Sequence, residues 1–232
     1  MLCDLCGEKQ TINMSFLIWQ LIDSGFPAGG FAHSGGLEAG VQHGLIDEGR
    51  TVLAFARQAL SHAGRSSMPF VTAARDNPRR MKELDRHADI FLTSSIANRS
   101  SRAQGRALLV SASRSFPHPS LEHLDALARR EGLCFHYAPL FGAVFNALDI
   151  DPVETQRAFL FMTIHGITSA AVRLGVIGAY EAQNIQMTLD PDINRTIERC
   201  GRLAPADAAQ TAPLIDLCQS TQDRLYSRLF QS

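Results

Sequence analysis

Apolar residues recur at spacings of three and four along most of this chain, and prolines or capping residues break that rhythm at intervals. A period near 3.6 is the mark of helices with one buried face, and strands require a period of two. Phe16, Leu17, Ile18, Trp19, Leu21 and Ile22 are apolar on nearly every side, which predicts a buried first helix over 14–24. Val52, Phe55, Ala56, Ala59 and Ala63 form a second stripe, and Met81, Leu84, Ala88, Phe91, Leu92 and Ser95 a third. Pro69 and Pro78 suit first helical positions, the latter behind an Asn77 cap. Asn98–Ser113 reads as helix. Its Leu108-Leu109-Val110 triplet is the one strand-like run, and it is too short for a sheet.

Further along, Ser120 is the expected cap of a helix over 121–130 that Gly132 stops, and a turn at 136–139 leads into a helix over 140–148. Asp151-Pro152-Val153-Glu154 joins a cap, an N1 proline and an acidic N3 residue ahead of another long helix. Pro191 and the segment 203–213 are expected loops. The last helix is expected from Pro213 to Phe230, with Leu214, Leu217, Cys218, Leu225 and Leu229 inward. The fold class that follows is all-α: a single globular domain of about ten helices packed as an irregular bundle over 14–232, behind a flexible segment 1–13. Hydrophobic content of 45% is ample for one core.

One stretch departs from the rhythm. Asp23 to Glu38 holds Pro27 and five glycines around His33 and Ser34. Beyond the glycines, Phe31, Ser34, Leu37, Val41 and Leu45 keep helical spacing, so a helix is expected to cross Gly35, Gly36, Gly40 and Gly44. Each glycine in a helix interior costs roughly 1 kcal/mol relative to alanine, so close packing against another helix is the expected reason for them.

The chemistry these residues offer is limited. His33-Ser34-Gly35 is not a G-x-S-x-G elbow. No P-loop, dinucleotide fingerprint or calcium loop occurs in the sequence. Cys3-x-x-Cys6 lacks a second ligand pair, so free thiols in a tail are the expectation, with zinc shared between subunits as the alternative. Cys3, Cys6 and His33 are the candidate metal ligands. His33, Glu38 and His43, with His136 beside them, are the residues a helical metal-dependent enzyme or metallochaperone would use. Arg99, Arg102 and Arg106 share a helix face, either solvated or ready for carboxylates. Arg173 lies in a small, apolar segment and must pair internally or enter an interface. Tyr226 and Arg228 belong to a terminal run of interface-type residues. A net charge of −1 argues against nucleic acid, no apolar run reaches membrane-spanning length, and five loosely spaced cysteines fit a reducing cytoplasmic setting.

Several stretches together resemble the UreF family of urease accessory proteins. The run from Asp23 through Pro27, Gly29, Phe31, Ser34 and Gly36 to Leu37-Glu38 is similar to its N-terminal signature. Arg102-Ala103-Gln104-Gly105-Arg106, His136-Tyr137 through Phe141-Gly142, Ser169-Ala170-Ala171-Val172-Arg173-Leu174, and Leu225-Tyr226-Ser227-Arg228-Leu229-Phe230 resemble later segments, in order. The Cys3/Cys6 pair is no part of that pattern. The resemblance implies an all-α, usually dimeric, non-enzymatic protein. It would assemble with the accessory protein UreD (also UreH) and the GTPase UreG to deliver nickel to the urease apoprotein, and would regulate the GTPase or gate nickel transfer. Nickel would be handled by the complex, with no cofactor bound stably here. The expected partner-binding residues are His33, Ser34, Gly36, Glu38, Arg102, Arg106, Arg173, Tyr226 and Arg228.

Overall fold

The cap, N1 proline and acidic residue at 151–154 act as their chemistry dictates. Asp151 Oδ1 accepts from the main-chain N–H groups of Val153 and Glu154 at 2.8 and 3.2 Å, and Pro152 opens a helix of 22 residues. A computed structural model describes residues 14–232. The expected flexible segment 1–13, with Cys3 and Cys6, lies outside the described residues. Eleven α-helices follow in order: α1 (Met14–Ile22), α2 (Leu37–Gln42), α3 (Gly49–Ser66), α4 (Met68–Asp76), α5 (Met81–Phe91), α6 (Ser95–Ser115), α7 (Pro119–Glu131), α8 (Tyr137–Ala147), α9 (Pro152–Arg173), α10 (Ala179–Cys200) and α11 (Pro213–Thr221). Short 3-10 turns join some of them, and no strand occurs among the described residues.

The centre of the bundle is α8, which is apolar on all sides and buried from Pro139 to Phe145. Its Phe141 and Phe145 rings stack at 4.1 Å, and Phe159 of α9 meets Phe141 edge-on at 5.4 Å. Truncating a side chain such as Phe145 to alanine would cost about 3–5 kcal/mol. Around α8 pack α4, α6, α5, α7 and α9, and α10 and α3 complete the second layer against α9. The bundle is a single body, with one core running from α1 to α11. No described helix is long and apolar enough to cross a membrane.

Six expectations need correction. The helix foreseen across 31–45 shrinks to α2, because Gly35 and Gly36 adopt φ of 62° and 91°, which a right-handed helix cannot contain. The first helix is buried on one side only: Leu17 and Leu21 are inside, while Phe16 and Trp19 are 55% and 65% exposed. Pro191 lies inside α10 rather than in a loop; it sits on the exposed face, while Ile185, Leu189 and Ile193 anchor the other face in the core. His118, not Ser120, caps α7, its Nδ1 accepting from the Ser120 N–H at 3.3 Å. Asn77 makes no side-chain cap, and Ser94 starts α6 as a separate helix from α5. The last helix ends at Thr221, well short of Phe230, and Leu214, Leu217 and Leu229 are exposed. Residues 222–232 leave the helix to meet the glycine-rich loop.

Candidate functional site

The loop 23–38 and the segment 222–232 form one joint, braced by α6 and α9. Pairing is main-chain first: the Gln231 N–H donates to the Ala32 carbonyl at 2.8 Å, and the Ser34 N–H to the Ser232 oxygen at 2.5 Å. Glu38, on the first turn of α2, is 2% exposed. Its Oε1 accepts from the Leu229 N–H at 2.5 Å, and its Oε2 accepts from the Phe230 N–H at 3.2 Å and from Gln222 Nε2 at 2.5 Å. A buried carboxylate that accepts several N–H donors is stabilised by charge-assisted bonds, and each donor would be orphaned without it. Glu38 is thus the peg on which the terminal segment hangs.

His33 and Arg173 hold the same joint from other sides. His33 Nδ1 lies 2.6 Å from Ser232 Oγ, which in turn donates to Ser100 Oγ of α6 at 3.0 Å. Burial, with the Arg99 charge adding to it, pushes the His33 imidazole down to about 4, so it is neutral at neutral pH. The Arg173 guanidinium is stacked between two rings, 3.7 Å from the centre of Phe31 and 4.2 Å from that of Phe230, and donates to the Phe31 carbonyl. Arg173 thus makes internal contacts within the joint.

Gly36 lies tight against α11: a Cβ there would sit 3.0 Å from the Gln219 nitrogen and 3.2 Å from the Ile215 oxygen, at a φ of 91° that disfavours any side chain. The close packing expected of the glycines is real here, although it joins a turn to a helix rather than two helices.

The expected partner-binding residues therefore divide. Ser34 and Glu38 are buried at 1% and 2% exposure and act inside the joint. Tyr226 is wholly exposed and Arg228 exposed, the latter tied to Asp223 at 2.9 Å. Asp223 also receives Arg99 at 3.0 Å, so the arginine stripe of α6 begins at the edge of the joint. Arg102 and Arg106 continue it on the surface, and the Arg106 guanidinium covers the Phe135 ring at 4.1 Å. His33, Glu38 and His43 do not assemble as a ligand set among the described residues: His43 Nε2 lies against Thr221 Oγ1 at 3.3 Å while the other two hold the terminal segment.

A second joint was not foreseen. Gly105, between the two arginines, lies under the chain crossing from α7 to α8; a Cβ there would sit 2.1 Å from the Phe135 carbonyl oxygen. Asp85, buried in α5, accepts from the Cys134 and His136 N–H groups on either side of Phe135, the latter at 2.7 Å. The sequence placed the Arg/Gly run and the His-Tyr run as separate motifs. The glycine between Arg102 and Arg106 was the available signal of a close approach.

Comparison with known proteins bears on this arrangement. The family model described as UreF matches residues 46–190. "Urease accessory protein F" of Oryza sativa subsp. indica is 35% identical over 216 residues, covering 91% of this chain and 83% of that protein. The Arabidopsis thaliana protein of the same name is 34% identical over 233 residues, 99% of this chain and 97% of its own. "Urease accessory protein UreF" of Arthrobacter sp. (strain FB24) is 30% identical over 217 residues, covering 92% and 95%.

Proposed function

The chain belongs to the UreF family of urease accessory proteins, and on that premise we propose that it is an assembly scaffold without a reaction of its own. In this reading it bridges the UreD/UreH accessory protein, the GTPase UreG and the urease apoprotein while nickel, the cargo of the complex, is inserted. It works in the cytoplasm, as a homodimer. One observation supports this most: the buried Glu38 peg and the Arg173 sandwich spend their bonds on fixing residues 222–232, and that fixed segment presents Tyr226 fully to solvent. An exposed tyrosine on a held stretch of backbone, with Arg224 and Arg228 two residues to either side, is the composition of an interface anchor, because the main chain is already ordered before a partner arrives. The exposed Arg102 and Arg106 add donors suited to carboxylates of a partner.

Mixing the purified protein with UreD/UreH and UreG tests the reading by size-exclusion chromatography with light scattering. One defined complex is expected, and cells lacking this protein are expected to regain urease activity on its add-back. Separate elution at micromolar concentration, with no rescue, overturns it.

A further inference from the structure

The joint beneath Gly105 carries a group of side chains that the scaffold role does not use. Asp89 lies on α5, one turn beyond Asp85. Cys134 and His136 flank Phe135, whose φ of 71° is unusual for a residue with a side chain. Backbone held in that region costs of order 1–3 kcal/mol and persists where surrounding bonds over-determine it. Here Asp85 supplies those bonds through both flanking N–H groups. The result is that one carboxylate oxygen, one thiol sulfur and one imidazole nitrogen lie within 4.8 Å of one another.

We infer that Asp89, Cys134 and His136 form a binding site for one divalent first-row transition-metal ion of the nickel and zinc class. A nitrogen, sulfur and oxygen donor set matches ions of borderline softness and disfavours magnesium or calcium. Such ions hold their ligands at roughly 2.0–2.3 Å, which sets donors about 3.5 Å apart, so side-chain adjustment alone closes the set. Three protein ligands leave a position for water or for a donor from elsewhere, the hallmark of an exchangeable site rather than a closed structural one.

The surroundings are those of a ligand set. His136 Nε2 lies 3.0 Å from Asp89 Oδ1, and the Cys134 sulfur lies within 4.8 Å of both. The other imidazole nitrogen, Nδ1, lies 3.2 Å from Ser101 Oγ, which orients the ring and can accept Nδ1–H once Nε2 holds metal. Asn98 Nδ2 donates to Asp89 Oδ1 at 3.0 Å and fixes the carboxylate.

The group opens to solvent at Asp89, whose side chain is 37% exposed, while the His136 side chain is fully buried. Binding forms a metal–sulfur bond and releases the thiol proton to solvent. Histidine keeps its single proton, moved to Nδ1, and aspartate stays anionic. Thiolate and carboxylate together neutralise the divalent charge.

The inference rests on these side chains alone and is independent of the assembly role; it departs from the expectation that this chain holds no metal stably. The test uses the full chain with Cys3→Ser and Cys6→Ser, so that those thiols do not contribute. Nickel sulfate is titrated in while thiolate-to-nickel charge-transfer absorption and bound metal by equilibrium dialysis are read, with zinc added as competitor. One equivalent with a charge-transfer band is expected. The band should vanish in Cys134→Ser, Asp89→Asn should weaken binding at least about 10-fold, Ser101→Ala about 10–100-fold, and the surface control His123→Ala not at all. A parent chain without a stoichiometric band, or a band that survives Cys134→Ser, overturns the site. Should circular dichroism show Cys134→Ser unfolded, Asp89→Asn decides, and unchanged affinity there overturns it.

Discussion

At the scale of single residues, His33 and Glu38 hold one joint in different ways. His33 must be neutral to lie where it does. Its folded value of about 4 is below the ordinary 6.5. A chain with the terminal segment released therefore takes up a proton first as pH falls. The stabilisation His33 gives is complete above pH 6.5 and is lost progressively as pH drops from there to about 4. Arg99 faces the same ring and adds to the effect, while Asp223 pairs with Arg99 and softens it. The protection of the Leu229 and Phe230 amides, that is exchange corrected for its intrinsic pH dependence, should fall across that window, and His33→Asn should flatten the dependence. Glu38 acts through the donors it receives, with N–H groups of Gln222, Leu229 and Phe230 on its two oxygens. Glu38→Gln turns an NH₂ group toward N–H donors and leaves at least one donor unpaired, at about 1–3 kcal/mol each. The expected outcome is faster exchange of residues 229–230 at unchanged helical circular dichroism. A loss of global fold instead would make Glu38 a core residue rather than a peg.

At the scale of elements, the same distinction separates what was legible in the sequence from what was not. Helices whose ends are set by their own residues were readable: Asp151-Pro152 starts α9, Gly132 stops α7 with φ of 64°, and Pro69 sits in the first turn of α4. Elements whose ends are set by a distant partner were not. α11 stops because Gln222 turns to Glu38, 184 residues away, and nothing local marks that stop. Pro191 continues α10 because its neighbours Leu189 and Ile193 are held in the core, which outweighs the missing N–H. The stripe Arg99, Arg102 and Arg106 was visible as a spacing, but its division among Asp223, solvent and the Phe135 ring depends on two other segments. Gly105 belongs to this second class. Alanine there would place its Cβ against the Phe135 carbonyl, so α6 or the α7–α8 crossing must move. Overpacking of this kind costs about 1–3 kcal/mol, or roughly 2–4 °C of Tm per kcal/mol in a chain of this size. Differential scanning calorimetry of Gly105→Ala should show such a drop, whereas Gly166→Ala, with open space at the Cβ position, should not.

At the scale of the whole molecule, the core and the terminal joint are separable. The core of α3, α4, α8, α9 and α10 is closed by its own apolar side chains, and the segment 225–232 adds to it one large buried residue, Phe230. Stability and partner binding should therefore respond to different changes. Tyr226 makes no demand on the fold, being fully exposed, so Tyr226→Ala should change unfolding free energy by less than about 0.5 kcal/mol. An interface anchor of its type loses more than about 1–2 kcal/mol of binding on truncation, a fall of roughly 5- to 30-fold in affinity. The informative comparison is between this variant and one lacking residues 225–232, which also uncovers Glu38 and frees Arg173 from Phe230. Isothermal titration against the UreD/UreH partner should rank the deletion weakest, Tyr226→Ala intermediate and the parent tightest, with both variants retaining the thermal unfolding of a packed helical core. Parent-like affinity in both would remove the terminal segment from the interface and leave Arg102 and Arg106 as the surface to test next.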